Sequence, residues 1–138
     1  MSSLFNVFDV AASGMLAQTV RLNTTASNLA NVNSVSSTPD KVYRAREPVF
    51  EAIRQGWAGN GLSEGVRVAG IFESTAPAGR RYEPGNPLAG PQGYVYTPNV
   101  NPVDELVNMI AASRSYQNDV QVMNTTKQLL LKTLSLGQ

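Results

Sequence analysis

The chain has 138 residues, a formal net charge of +1, and charged side chains at only 15% of positions. It lacks cysteine and histidine altogether, which removes disulfides, thiolate chemistry, zinc–sulfur sites and the commonest general base and metal ligand. Near-neutral charge gives no broad electrostatic footprint for nucleic acid or anionic lipid, and no apolar run is long enough to span a bilayer.

The N-terminal residues Met1 to Asn6 lack the basic region and continuous apolar stretch of a cleavable signal, so any export is expected to use a route that does not read one. Ser2 or Ser3 suits a helix cap. From there Phe5, Phe8, Ala12, Met15, Leu22, Ala26 and Leu29 recur at three- and four-residue steps, interrupted by Thr19. This predicts a helix to about Asn33. Between Phe5 and Asn33 the charged residues are Asp9 and Arg21 alone. The other non-seam positions include Asn23, Thr24, Thr25, Ser27, Asn28 and Asn31. Neutral polar groups are buried at lower cost than charges, so this helix is expected to be packed on several sides, by other copies or other proteins.

Residues 34–41 form a turn-rich exit. The middle of the chain then holds nine of the eleven glycines, and all eight prolines fall within residues 39–102. Strands are expected at Val42–Arg46, Val49–Ile53, Val66–Phe72 and Tyr94–Tyr96. A hairpin or loop is expected at Gly56, Gly59, Asn60 and Gly61. Pro77 to Pro91 is expected to be extended or turning. Such a unit has little core of its own and is expected to lean on the helices.

The second helix has a defined start. Asn101 suits the N-cap, Pro102 the first helical position, and Asp104 with Glu105 complement the positive helix end. Leu106, Met109, Tyr116, Val120, Met123, Leu130 and Leu134 repeat the seam spacing, interrupted by Ser113 and Lys127. Gly137 is a natural stop.

The fold class is therefore mainly α with a small β insert. Its N- and C-terminal helices pair as an antiparallel, coiled-coil-like hairpin around a short β-rich middle segment. The divisions are residues 1–35 for the first helix, 36–101 for the Pro/Gly-rich β segment and 102–138 for the second helix. Equal seam lengths place Met15 opposite Met123, Phe8 near Leu130, Leu29 near Met109, and the β segment at one end of the pair.

No chemical constellation emerges. Asn23-Thr24-Thr25 and Asn124-Thr125-Thr126 fit a glycosylation pattern but lie within expected helices. The glycines around Asn60 and Gln92 precede no Lys-Ser/Thr helix start and read as turns. Arg44, Arg46, Arg80 and Arg81 beside Tyr43 and Tyr82 suit solvated or interface roles. No catalytic, metal or cofactor site is expected. The two apolar stripes are expected to serve subunit packing.

The run Ala12-Ser13-Gly14-Met15-Leu16-Ala17-Gln18, followed by Arg21-Leu22-Asn23-Thr24-Thr25-Ala26-Ser27-Asn28-Leu29-Ala30-Asn31-Val32-Asn33, resembles the N-terminal signature of the bacterial flagellar rod and hook axial proteins. Its most specific part is Ala26, Ser27, Asn28, Leu29, Ala30 and Asn31. The resemblance extends through Tyr43-Arg44-Ala45-Arg46, Gly65 to Val68, Gly93 to Asn101, Ala112 to Gln117 and Val120 to Asn124, and on to the C-terminal residues Leu129 to Gln138. The short middle is similar to the proximal-rod members rather than the longer hook and distal-rod members. One departure is Pro84-Gly85-Asn86-Pro87, where many relatives have a histidine before the second proline.

The resemblance implies a structural role without a cofactor, in the periplasmic rod of the flagellar basal body. It implies self-association within the rod, partners among other rod proteins and the MS-ring adaptor, and passage through the flagellar type III export apparatus. It implies no nucleic-acid partner and no membrane insertion. The competing readings are a helical-hairpin adaptor or export chaperone, which the terminal signature disfavours, and an enzyme, for which no constellation exists.

Overall fold

A computed structural model describes residues 2–55 and 63–137. The glycine-rich stretch from Gly56 to Gly61 lies outside the described residues. Helix α1 runs Ser2–Ala30 and helix α2 runs Pro102–Leu136. Between them come strands β1 (Arg46–Gln55), β2 (Ser63–Glu73), β3 (Gly79–Tyr82) and β4 (Tyr94–Thr97).

Local chemistry sets the start of α2. The Asn101 side chain accepts from the Val103 N–H at 3.0 Å, Pro102 occupies the first turn, and Asp104 and Glu105 sit at the positive end of the helix dipole. At the other end the Gly137 N–H donates to the Leu134 carbonyl. Thirty-five residues at about 1.5 Å each make α2 roughly 50 Å long.

The two helices are antiparallel. Arg21 donates to Asn108 at 2.9 Å, while Gly14, further toward the start of α1, lies against Asp119, further along α2. This register differs from the equal-ends alignment. The equal-ends alignment sets Asp119 opposite a residue near Thr19, but Gly14 meets it instead, so α2 is displaced by about one to two turns toward the start of α1. About the last one or two turns of α2 run past the start of α1.

β1 and β2 form an antiparallel hairpin, Arg46 opposite Glu73 and Ile53 opposite Gly65. Val49 pairs with Gly70 and Phe50 with Val68, leaving Ala69 as the extra residue of a bulge. A bulge bends and twists its strand, which suits a hairpin that must follow a helix. The hairpin does not sit at one end of the helix pair as expected. It lies back along α1: the Val66 N–H donates to Ser13 Oγ at 3.0 Å, and Arg46 bonds to Asn28 near the other end of α1. A free two-stranded hairpin is marginal in water, and α1 supplies the missing face.

β3 and β4 make a second antiparallel pair, with Arg81 opposite Val95. β3 falls where the sequence suggested only extended or turning chain. Ser36 pairs with Tyr96 through two backbone hydrogen bonds of 3.0 and 2.9 Å on the other edge of β4. β4 is thus central, and Val95 is fully buried. The expected strand at Val42–Arg46 contributes only Arg46. Val42 and Ala45 are buried in the connection that leads into β1. Gly93 adopts φ 78°, and Tyr82 packs so closely on it that a Cβ would come within 2.7 Å of the ring. Asn86, in the turn after β3, donates to Glu83 and accepts from the Leu88 N–H, each at 2.9 Å.

Candidate assembly interface

Successive residues on a helix are about 100° apart, so three stripes can be distinguished around α1. One stripe meets α2: Ala11 is buried, Gly14 touches Asp119, Arg21 bonds to Asn108 and Thr25 is buried. A second meets the hairpin: Ser13 holds Val66, and Val20, Thr24 and Ser27 line a cleft with Ile71 and Glu73 of β2. Ala17, between them on the same stripe, is buried. Both stripes are built from Ala, Gly, Ser and Thr with few larger side chains, which lets backbones approach closely.

The expected apolar stripe is the third. It lies one residue beyond the α2-facing one: Ala12 follows Ala11, Met15 follows Gly14, Leu22 follows Arg21 and Ala26 follows Thr25. The same single-residue displacement holds on α2. Its inward positions are Glu105, Asn108, Ala112, Asp119 and Thr126, of which Glu105, Ala112 and Thr126 are buried. Leu106, Met109 and Val120 each sit one residue outside that line. Phe5, Ala26, Leu106 and Leu134 are exposed; Phe8, Ala12, Met15, Leu22, Leu29, Met109, Tyr116, Val120, Met123 and Leu130 are partly buried.

The helix pair is therefore closed by small and polar groups, with Arg21, Glu105 and Asp119 among them, and the large apolar groups flank it. The signal in the sequence was the run of uncharged polar residues on α1. It marked faces packed within the chain, against both α2 and the hairpin, not only faces for other molecules.

The most specific part of the signature has a physical role. Asn28, 1% exposed, donates through Nδ2 to the Arg46 carbonyl at 2.9 Å. Its Oδ1 accepts from the Arg46 N–H at 2.9 Å and from the Tyr43 hydroxyl at 2.8 Å. The side-chain amide thus pairs with Arg46 as a neighbouring strand would. Ser27 hydrogen-bonds the same Tyr43 hydroxyl at 3.1 Å, and Asn31 donates to the Ser27 carbonyl at 2.9 Å at the frayed end of α1.

Fully buried apolar side chains are few: Val95 and Ala112 are at 0%. Exposed large apolar groups are many, including Val7, Leu16, Leu106, Ile110, Leu131 and Leu136 on the helices and Ile71 and Phe72 on the hairpin. Monomeric proteins rarely leave so much apolar surface in contiguous stripes, and surfaces of this kind mark interaction sites. Among the described residues, no group of three His, Asp or Glu side chains could hold a metal ion, and no helix is long and apolar enough to cross a membrane.

Two family descriptions match the chain. "Flagella basal body rod protein" matches residues 8–36, and "Flagellar basal body rod FlgEFG protein C-terminal" matches residues 92–136. Among curated relatives, the flagellar basal-body rod protein FlgC of Escherichia coli O6:H1 is 52% identical over 136 residues, covering 99% of each chain. The protein of the same name from Salmonella typhimurium is 50% identical with the same coverage, and that of Borreliella burgdorferi is 37% identical over 150 residues, covering 98% of each. Over essentially its whole length the chain belongs to the FlgC family of flagellar basal-body rod proteins.

Proposed function

We propose that this chain is a structural subunit of the proximal rod of the bacterial flagellar basal body. There it polymerises with other rod proteins into the shaft that transmits motor torque. The observation that carries this reading is the full-length relationship to the FlgC rod proteins. The uncovered apolar stripes beside the helix pair support it. A torque shaft needs lateral contacts on many sides of each subunit, and the chain carries large apolar groups on both helices and on the hairpin.

In this role the residues that flank the helix pair are the subunit-packing set: Phe5, Phe8, Ala12, Met15, Leu22, Ala26 and Leu29 on α1, with Leu106, Met109, Tyr116, Val120, Met123, Leu130 and Leu134 on α2. The function is structural and not catalytic. Its neighbours include other rod proteins and the MS-ring adaptor, and it reaches the periplasm through the flagellar type III apparatus.

Complementation tests the reading. Cells lacking their own copy should swim, and yield complete hook–basal bodies containing the chain, when this chain is supplied. Leu106→Asp should abolish both, since Leu106 is 51% exposed in the subunit and would become buried on assembly. Glu73→Gln, at the exposed end of β2, should leave both intact. Wild-type swimming with the chain absent from purified basal bodies would refute the assignment.

A further inference from the structure

The Asp119 carboxylate, an acidic group of the helix interface, lines a largely apolar groove, and among the described residues it has neither an ion-pair nor a hydrogen-bond partner. It lies against Gly14, where a Cβ would stand 2.7 Å from Oδ2. Around it is a groove of about 510 Å³ between α1, α2 and the hairpin, walled by Val7, Val10, Phe50, Val66 and Val122. The other carboxylate on this groove, Glu51, is already held by Arg67 at 2.7 Å. Burial raises the Asp119 carboxyl above its ordinary range, so the isolated subunit holds this charge at a cost. A groove with aliphatic walls and one unpaired carboxylate fits a lysine whose methylene stem packs on the walls.

The chain itself carries such a group in a suitable setting. The last turns of α2 run beyond the start of α1 and expose Leu131, Leu134 and Leu136, the last at 87%. Lys132 stands among these leucines, exposed and without an ion-pair partner among the described residues. Among the described residues nothing else covers this overhang.

We propose that the overhanging end of α2 from one copy docks in the groove of a second copy, with Lys132 paired to Asp119. Groove and overhang lie on different surfaces of the subunit, so the contact is head-to-tail and propagates. It also fixes a dimension. Lys132 and Asp119 are 13 positions apart on one helix, so copies aligned with parallel axes are staggered by roughly 20 Å. The inference deepens the rod-subunit reading by naming a contact between like subunits, and it is tested without reference to the basal body.

The test uses purified full-length chain. Asp119→Cys and Lys132→Cys variants with different affinity tags are mixed at high concentration under mild oxidation; the natural chain has no cysteine to compete. A mixed disulfide should form at least tenfold faster than between Lys132→Cys and Arg114→Cys chains. In sedimentation, Asp119→Lys and Lys132→Asp should each weaken self-association at least tenfold, and mixing the two variants should restore it. Equal cross-linking of the two pairs, or no rescue on mixing, overturns the proposal, as does a chain that stays monomeric at millimolar concentration. Circular dichroism of each variant separates misfolding from loss of contact. Lack of this contact would leave the rod assignment standing, whereas absence of the chain from basal bodies would strike that assignment and leave the contact measurement untouched.

Discussion

Asn28 and Asn99 grip neighbouring peptide groups from opposite ends of the chain. The Arg46 N–H donates to Asn28 Oδ1 at 2.9 Å, and the Ala45 N–H donates to Asn99 Oδ1 at 2.8 Å. Asn99 also donates to the Ala76 carbonyl at 2.9 Å, and the Ser74 N–H returns to the Ala45 carbonyl at 2.8 Å. The end of α1, the entry to β1, the exit of β2 and the approach to α2 therefore meet at one hydrogen-bonded joint. A shaft subunit under torsion needs its helices and hairpin coupled in this way, because each element alone is marginally stable.

Removing one side of the joint should be expensive. Asn28→Ala leaves both polar groups of Arg46 without their partner in a buried setting, at about 1–3 kcal/mol for each group. A loss of roughly 3 kcal/mol in urea unfolding is expected. Tyr43→Phe, which removes only the hydroxyl shared by Ser27 and Asn28, should cost about 1 kcal/mol. Equal effects of the two changes would show that the Arg46 pairing contributes little.

The helix register is checked by a disulfide within one chain. Gly14→Cys combined with Asp119→Cys places a sulfur at each side of the point where the Asp119 side chain lies against Gly14, and should close on mild oxidation in dilute monomer. Gly14→Cys with Asn108→Cys, whose partner in the structure is Arg21, should not. Mass spectrometry of peptides reads the result. Closure of the second pair in place of the first would mean that α2 has slipped.

Ser13→Ala tests the seating of the hairpin on α1. The Val66 N–H loses its acceptor, and the Ser13 hydroxyl no longer donates to the Val10 carbonyl. Hydrogen exchange at Val66 should accelerate about tenfold, equivalent to roughly 1.4 kcal/mol, while exchange at Val95 in the other sheet stays unchanged. Unaltered exchange at Val66 would place its stability elsewhere.

Two carboxylates give opposite pH signatures. Asp119 has a raised pKa in the folded chain because burial disfavours its charge. Its contribution to stability is full below the unfolded pKa and is lost as pH rises through the folded one. Asp119→Asn should therefore stabilise the isolated monomer more at neutral than at acid pH. Glu83 has a lowered pKa, chiefly because Asn86 donates to it, with Arg81 adding a hydrogen bond and its charge. Its contribution is present above the unfolded pKa and is lost as pH falls through the folded one. Glu83→Gln should destabilise at neutral pH and have no effect in acid. Thermal unfolding of both variants from acid to neutral pH reads the two slopes, and slopes of the same sign would refute the assignment.

Local chemistry made much of this protein legible in its sequence. Asn101, Pro102, Asp104 and Glu105 determine the start of α2 because capping, ring geometry and the helix dipole act within one turn. Three- and four-residue spacing determined two long helices, and the concentration of proline and glycine between residues 39 and 102 determined an irregular β-containing middle. The tertiary structure decided which helix faces meet. Sequence spacing marks the apolar stripe through Met15, Leu22, Met109 and Met123, but the helices close one residue earlier, through Ala11, Gly14, Asn108 and Ala112. Small residues there allow closer approach, and the polar groups among them find partners across the joint. It also decided that the hairpin lies along α1 and not beyond it. That placement depends on long-range hydrogen bonds from Ser13 and Asn28 to Val66 and Arg46, between residues whose separation along the chain leaves no periodic trace.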